Sequence, residues 1–216
     1  MPLCSPGRCA GALLMATLLS AIGGPTSAHP HMWIMTQTTF LFDKGAFAGV
    51  QHRWTFDEYY TAMAIEGLDK NHDGIYDREE LAELAKVNVD GLKEYHYFTY
   101  AMLAGKEVKL GEARDYWLEH KDGALALTFT VPFLEPIAAN VADFKLLVED
   151  PTFYIAFELA KSDPVRLGAG APKSCAMRAS DVDEESQDAH RLAAVFSELG
   201  PSYGFRKLMA LDCPGP

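Results

Sequence analysis

The chain has 216 residues, and its 30 Asp and Glu outnumber its 19 Lys and Arg, which gives a formal net charge of −11. A negative field repels phosphate backbones and anionic lipid headgroups, so the composition argues against nucleic acid and acidic membranes as partners and favours cations. The length suits one domain with a hydrophobic core of its own.

Residues 1–28 have the pattern of a secretory signal peptide. One basic residue, Arg8, precedes an apolar run, and small residues at 26–28 follow it. The run is too short to span a membrane permanently, so we expect no stable membrane anchor. Cleavage after Ala28 would deliver the mature chain, residues 29–216, to the periplasm or the cell exterior.

Two runs rich in β-branched and aromatic residues, 31–42 and 46–56, are joined by Asp43-Lys44-Gly45. This pattern predicts a β-hairpin. If the residues that flank the three-residue turn pair with each other, His31 lies opposite Asp57. A slip of one residue would reverse every face of the strand, so the prediction depends on this register.

After the hairpin the hydrophobic period becomes that of a helix, over 57–68 and again over 79–95. The segment between them, DKNHDGIYDREE, has the complete spacing of an EF-hand calcium loop: oxygen-bearing side chains at alternate positions, a glycine for the sharp turn and a final glutamate. The predicted ligands of Ca²⁺ are Asp69, Asn71, Asp73, the backbone carbonyl of Ile75, Asp77 and Glu80. Because the loop has no second loop to pair with, we expect a structural site rather than a calcium sensor.

Further short strands are predicted at 97–103, 107–110, 113–120, 125–133, 144–148 and 153–159. Such a series at hairpin spacing is typical of a β-sandwich. The predicted fold is therefore mainly β with some α: an antiparallel, immunoglobulin-like β-sandwich in a single domain at 29–216. An EF-hand-like helical insertion at about 57–95 lies between its second and third strands, and a C-terminal helix is expected at about 184–199.

Removal of the leader leaves Cys175 and Cys213 as the only two cysteines. Because an exported protein meets an oxidising compartment, we predict a disulfide that ties the C-terminal tail, about 175–213, to the body of the domain. The competing interpretation, two soft metal ligands, is disfavoured because the periplasm oxidises paired thiols.

The mature chain would begin His29-Pro30-His31. A terminal histidine offers its α-amine and a ring nitrogen to one metal, and strand alternation places His31 on the same face. Three nitrogens suit Zn²⁺, Ni²⁺ or Cu²⁺, and Asp57 is a candidate third side chain in the register above. Pro30 lacks an amide proton, which excludes the square-planar site built from deprotonated second and third amides. The competing interpretation is a frayed chain end.

The sequence contains no GxSxG, HExxH, phosphate-loop or dinucleotide-binding motif, so we do not expect an enzyme. One alternative is a copper oxygenase, because the terminal chelate resembles a histidine brace, with His52 or His96 as a third nitrogen donor. His52 shares the apolar face of its strand with Val50 and Trp54, which favours a core role. A further alternative is a docking module in which calcium orders a partner-binding helix pair.

Five segments carry a resemblance to a known family. They are His29-Pro30-His31-Met32-Trp33-Ile34, Trp54-Thr55-Phe56-Asp57-Glu58, the calcium loop, Lys93-Glu94-Tyr95-His96-Tyr97-Phe98-Thr99-Tyr100 and Asp150-Pro151-Thr152-Phe153-Tyr154. The chain resembles a bacterial periplasmic family of unknown function that is described as the periplasmic component of an uncharacterised ABC-type transport system. Its members are often encoded beside nickel/cobalt or zinc transporters. The resemblance implies an accessory role in transition-metal handling, with an inner-membrane metal transporter as partner.

Overall fold

The computed structural model describes residues 30–182, 185–199 and 206–214. The predicted leader at 1–28 and His29 lie outside them. The strands are β1 (Met32–Asp43), β2 (Ala46–Phe56), β3 (Thr99–Leu103), β4 (Lys106–Val108), β5 (Arg114–Lys121), β6 (Ala124–Ala138), β7 (Phe144–Val148), β8 (Ile155–Leu159), β9 (Val165–Leu167), β10 (Ala176–Asp181) and β11 (Lys207–Asp212). The helices are α1 (Glu58–Ala64), α2 (Ala82–Leu92) and α3 (Gln187–Val195), and a 3-10 segment spans Lys93–Phe98. A mainly β chain with some helix was correctly predicted.

The strands form two sheets. The first has the order β5-β6-β2-β1-β8, with β9 also paired to β1, and the second has the order β10-β11-β7-β3-β4. Neighbouring strands are antiparallel except that β8 and β9 run parallel to β1. The expectation of purely antiparallel sheets was therefore wrong at this edge, and β9, β10 and β11 were not predicted.

The hairpin of β1 and β2 turns through two residues rather than three. Lys44 and Gly45 both have positive φ, and Asp43 pairs with Ala46. A register shift beside Gly49 then changes the pairing for the rest of the hairpin, and a Cβ at Gly49 would lie 2.6 Å from the Val131 carbonyl oxygen. The turn and this irregularity together make the predicted register wrong.

The two sheets share one hydrophobic core. The ring of Phe144, on β7, meets Phe40 and Phe47 of the first sheet edge-on, with centroids 5.9 and 4.7 Å apart. On the other face of the second sheet, Tyr100 packs against Phe196, which follows α3, at 5.3 Å. The described residues thus form three layers, sheet, sheet and helix, in which alternate strand residues fill the interior.

The helical insertion lies between β2 and β3, where the sequence placed it. Its helices are shorter than predicted, since α1 covers 58–64 and α2 covers 82–92. The Tyr60 hydroxyl donates to Asn88 Oδ1 at 2.8 Å, which joins α1 to α2, and Thr61 Oγ1 accepts from the Leu125 backbone N–H at 3.1 Å, which joins α1 to the first sheet. The insertion is therefore held against the first sheet rather than projecting from it.

The predicted disulfide joins Cys175 to Cys213. It connects the residue before β10 to the residue after β11, the two edge-side strands of the second sheet. A bridge of this kind is typical of proteins from oxidising compartments. Within the described ranges, the helices are too short or too polar to cross a membrane.

Candidate functional sites

The predicted calcium loop is held together by hydrogen bonds from its own backbone. Asp69 accepts from the N–H groups of Gly74 at 3.0 Å and Asp73 at 3.2 Å. Asn71 Oδ1 accepts from the Asp73 N–H at 2.9 Å, and Asp73 Oδ1 accepts from the Ile75 N–H at 2.7 Å. Each bond turns a side-chain oxygen back over the loop, because Asp and Asn favour such short-range contacts.

Glu80, the last predicted ligand, closes the loop. It is only 8% exposed, and its Oε1 accepts from the N–H groups of Lys70 at 2.8 Å and Asn71 at 3.3 Å. Asp77 accepts from the Glu79 and Glu80 N–H groups at 2.8 and 2.9 Å, and so binds amides just before α2. The carboxylate of Glu80 therefore connects the end of the loop to its beginning.

The donor set of the loop matches what a hard cation requires, since it consists of carboxylate, amide and carbonyl oxygens. In residues 30–182, 185–199 and 206–214 no three His, Cys, Asp or Glu side chains are grouped closely enough to hold a metal ion. Calcium binding at 69–80 therefore stays a prediction.

The loop is attached to β5 by two of its other residues. Tyr76 packs edge-on against the ring of His120, with centroids 5.0 Å apart. Arg78 donates to Glu119 at 3.0 Å, and its guanidinium lies 4.7 Å from the centre of the Trp117 ring. The hydrogen bond from Arg53 and the neighbouring charge of Arg78 lower the pKa of Glu119. These contacts connect the loop to an edge strand of the first sheet.

The second predicted site is only partly described. His31 is exposed, and its ring lies 5.0 Å from that of Tyr154. Asp57 does not face it: the backbone N–H of Asp57 donates to the carbonyl of Trp33 at 3.1 Å. The prediction that His31 lies opposite Asp57 was therefore wrong.

The Asp57 carboxylate already binds two backbone amides. One oxygen accepts from the Tyr60 N–H at 2.9 Å and caps α1, and the other accepts from the Trp33 N–H at 2.9 Å. Its role as the cap of α1 explains why an acidic residue lies at the start of the helix, and no bound metal is needed to explain it. Ligation of a transition metal by His29, His31 and Asp57 stays a prediction.

His52 is a core residue, as its place on the apolar face indicated. Thr99 Oγ1 donates to the Tyr97 carbonyl at 2.7 Å, so its 3.2 Å contact with His52 Nε2 requires that nitrogen to carry the proton. Thr38 Oγ1 then donates to the bare Nδ1 at 2.9 Å. The ring is neutral and completely buried, and burial lowers its pKa to about 3.

The environment of His52 excludes it as a ligand in the copper oxygenase alternative. Both nitrogens of His52 are satisfied by threonine hydroxyls inside the core, so His52 cannot supply the third nitrogen donor. His96, the other candidate, is exposed and has a positive φ of 52° in the 3-10 segment.

A cavity of about 590 Å³ lies where the start of the hairpin, α1, α2 and the 3-10 segment meet β8. Its lining is mostly apolar and aromatic and includes Trp54, Phe98 and Tyr154. Sequence reasoning missed this cavity because its walls come from segments up to about 120 positions apart, and no local spacing brings them together. The only signal was the concentration of aromatic residues in segments that the family resemblance had already marked.

A family model described as "Protein of unknown function (DUF1007)" matches residues 14–210. Among curated proteins, the chain is 27% identical over 164 residues to an uncharacterized protein of Haemophilus influenzae, covering 74% of this chain and 77% of that protein. It is 32% identical over 114 residues to an uncharacterized 15.5 kDa protein in the trpE 3′ region of Spirochaeta aurantia, covering 52% of this chain and 81% of that protein. Because the family model spans most of its length, the chain belongs to the DUF1007 family.

Proposed function

We propose that the protein is an exported, periplasmic metal-binding accessory protein that handles a transition metal for a membrane transporter and carries a structural calcium ion in the loop at 69–80. The loop would hold the hard cation through oxygen donors. The start of the processed chain would hold Zn²⁺, Ni²⁺ or Cu²⁺ through His29 and His31. The two sites have different donor atoms, so each selects its own class of ion.

The observation that supports the calcium assignment is the hydrogen bonding within the loop. All five predicted side-chain ligands accept hydrogen bonds from backbone amides within the loop; they are Asp69, Asn71, Asp73, Asp77 and Glu80. Their remaining lone pairs are available to a cation, and the hydrogen bonds that hold the loop reduce the cost of ordering it around the ion. Affinity in the range of about 0.1 to 1 mM is expected for an exported module.

Calcium binding is tested by thermal unfolding in excess Ca²⁺ and in EGTA. Calcium should raise the Tm of the wild type because it binds the folded loop and not the unfolded chain. Glu80→Gln should remove this increase, and Glu79→Gln should retain it, because Glu79 is exposed and is not a predicted ligand. An unchanged Tm of the wild type at saturating Ca²⁺ would exclude the site.

The transition-metal role is supported by the family resemblance in the sequence and by the exposure of His31 beside Tyr154. It needs a free α-amine on His29, so the exported protein should first be checked by intact mass. Titration calorimetry with Zn²⁺, Ni²⁺ and Cu²⁺ should then give one site with a Kd below about 1 µM. His31→Ala should abolish it, whereas His190→Ala, an exposed histidine on α3, should not. Weaker binding of all three ions would contradict the proposal.

A docking module remains the second candidate because the insertion exposes large apolar side chains. Tyr59 and Met63 on α1 are 91% and 67% exposed, and Ile75 in the loop is 66% exposed. Where such residues form a contiguous patch, they mark an interaction surface. This function predicts that Glu80→Gln weakens partner binding while substitution of His29 leaves it unchanged.

A further inference from the structure

The apolar cavity beside α2 is a second kind of site, and none of the predicted metal ligands that the structure describes lines it. Ile34 and Trp54 of the first sheet form part of its wall, and Leu92 of α2 forms another part. Its volume of about 590 Å³ is within the range of small-molecule sites in proteins, about 300 to 1,000 Å³. The exposed residues Val87, Tyr95 and Tyr154 also belong to its lining. A molecule from solvent can therefore approach it.

The polar side chains of the lining are few, and several are already satisfied. Asn88 accepts from the Tyr60 hydroxyl at 2.8 Å and donates to the Leu84 carbonyl at 2.8 Å. Asp150 accepts hydrogen bonds from Thr152, Tyr154 and Ile155 at 2.7 to 3.1 Å. Among the residues that the structure describes, the lining contains no Lys, Arg or His. An anionic ligand would therefore have no countercharge and would lie near the Asp150 carboxylate.

One buried donor in the wall has no hydrogen-bond partner in the described part of the chain. Trp54 is 1% exposed, and no oxygen or nitrogen of the described residues accepts a hydrogen bond from its Nε1. A buried N–H without an acceptor is costly, and buried indole N–H groups usually find one. Among the lining residues described, Trp54 alone has such a buried, unpaired side-chain atom. This nitrogen is enclosed by the surrounding protein atoms, so an acceptor in the cavity would reach it only after a neighbouring side chain shifts; the hydrogen bond would then remove this cost.

We propose that the cavity binds a small, neutral, mainly apolar molecule that carries a hydrogen-bond acceptor such as a ketone or ester carbonyl. Its apolar body would pack against the aromatic wall, and its carbonyl oxygen would accept from Trp54 Nε1. This assignment does not rest on either metal site, so it can succeed or fail independently of the proposed function.

Gly91 offers a way to fill the cavity with little disturbance. It lies in α2 and lines the cavity, its φ is not positive, and a Cβ built on it meets no atom within 4 Å. Gly91→Phe should therefore fold and occupy the space, and Gly91→Ala should fold and leave most of it free. Ala62→Phe is the matched control, because it adds the same ring to an exposed position of α1 outside the cavity.

The probe is Prodan, a neutral naphthyl ketone whose emission moves to shorter wavelength in an apolar site. We expect saturable binding to the wild type, to Gly91→Ala and to Ala62→Phe, and at least a 20-fold weaker Kd for Gly91→Phe. Absence of saturable binding to the wild type, or equal binding by Gly91→Phe, would overturn the proposal.

The hydrogen bond is tested with Trp54→Phe and a second probe, 2-dimethylaminonaphthalene, which lacks the carbonyl. The variant should weaken Prodan binding by about 3- to 10-fold, as expected for one hydrogen bond, and change binding of the second probe less than twofold. Equal effects on both probes would overturn the role of Trp54.

Sedimentation that shows a dimer broken by Gly91→Phe would also overturn the proposal, because the occupant would then be a second copy of the chain.

Discussion

The loop at 69–80 and the C-terminal unit formed by β10, α3 and β11 hold their charged groups in different ways. In the loop, carboxylates bind amides 2 to 10 positions away and most of the residues are exposed. At the C-terminal unit, Arg206, just before β11, forms a buried pair with Glu149, just after β7, across 57 positions, with Arg206 Nη2 2.9 Å from Glu149 Oε1. The loop can therefore rearrange around an ion locally, whereas the buried pair forms only when the second sheet assembles.

The largest expected effect is removal of the buried charge pair. Glu149→Gln removes the carboxylate charge that accepts two hydrogen bonds from the buried Arg206 guanidinium, and breaking such a pair costs about 3 to 5 kcal/mol of unfolding free energy. Urea unfolding measures the change, and Glu158→Gln, an exposed glutamate on β8, is the control. A loss below about 1 kcal/mol would show that the pair is not a main support of the second sheet.

The second largest loss of unfolding free energy is expected from removal of the disulfide. It closes a segment of 38 positions that contains α3, so Cys175→Ala with Cys213→Ala should lower the unfolding free energy by about 2 to 4 kcal/mol. Reduction of the wild type should give a similar loss, which separates the bridge from packing of the new side chains. The calcium response of the loop should survive both treatments. If it disappears, the loop and the C-terminal unit are coupled, and the contrast between them fails.

The contribution of His52 to the unfolding free energy is smaller and depends on pH. Its pKa is about 3 in the folded chain and near 6.5 in the unfolded chain, so below pH 6.5 only the unfolded state gains the proton. Stability from this group is complete above pH 6.5 and falls as the pH is lowered toward 3, by up to about 1.4 kcal/mol per pH unit. Urea unfolding at several pH values between 5 and 7 should show this slope, and His52→Gln should reduce it. An identical slope in the variant would contradict the buried neutral ring.

The difference between local and distant contacts also explains which features the sequence could predict. Period and spacing indicated the first hairpin, both insertion helices and the core position of His52, because each depends on neighbours in the chain. The strands β9, β10 and β11 have three to six residues each, and they pair with strands far away in the sequence. Their own composition carries little signal, so the sequence predicts no strands in the region after β8.

The predicted pairing register of the hairpin was wrong for a related reason. A two-residue turn at Lys44-Gly45 and an irregularity beside Gly49 together shift the pairing, and the close approach of Gly49 to Val131 depends on β6 rather than on the hairpin. The cavity beside Trp54 was missed because several distant segments enclose it. In this chain the sequence predicts contacts between nearby residues, but it does not predict how distant segments assemble.

The smallest effect concerns Asp57, where the predicted metal ligand and the observed helix cap give different expectations. Asp57→Ala removes the acceptor for the Tyr60 and Trp33 amides and should lower the unfolding free energy by about 1 kcal/mol in metal-free protein. Asp57→Asn keeps a capping oxygen and should retain most of that stability, although it removes the charge. If Asn also retains full affinity for Zn²⁺, Ni²⁺ and Cu²⁺, Asp57 serves only as a cap. If affinity falls at least tenfold while stability is unchanged, the carboxylate is a metal ligand despite its place in the hairpin, because only the charge has been lost.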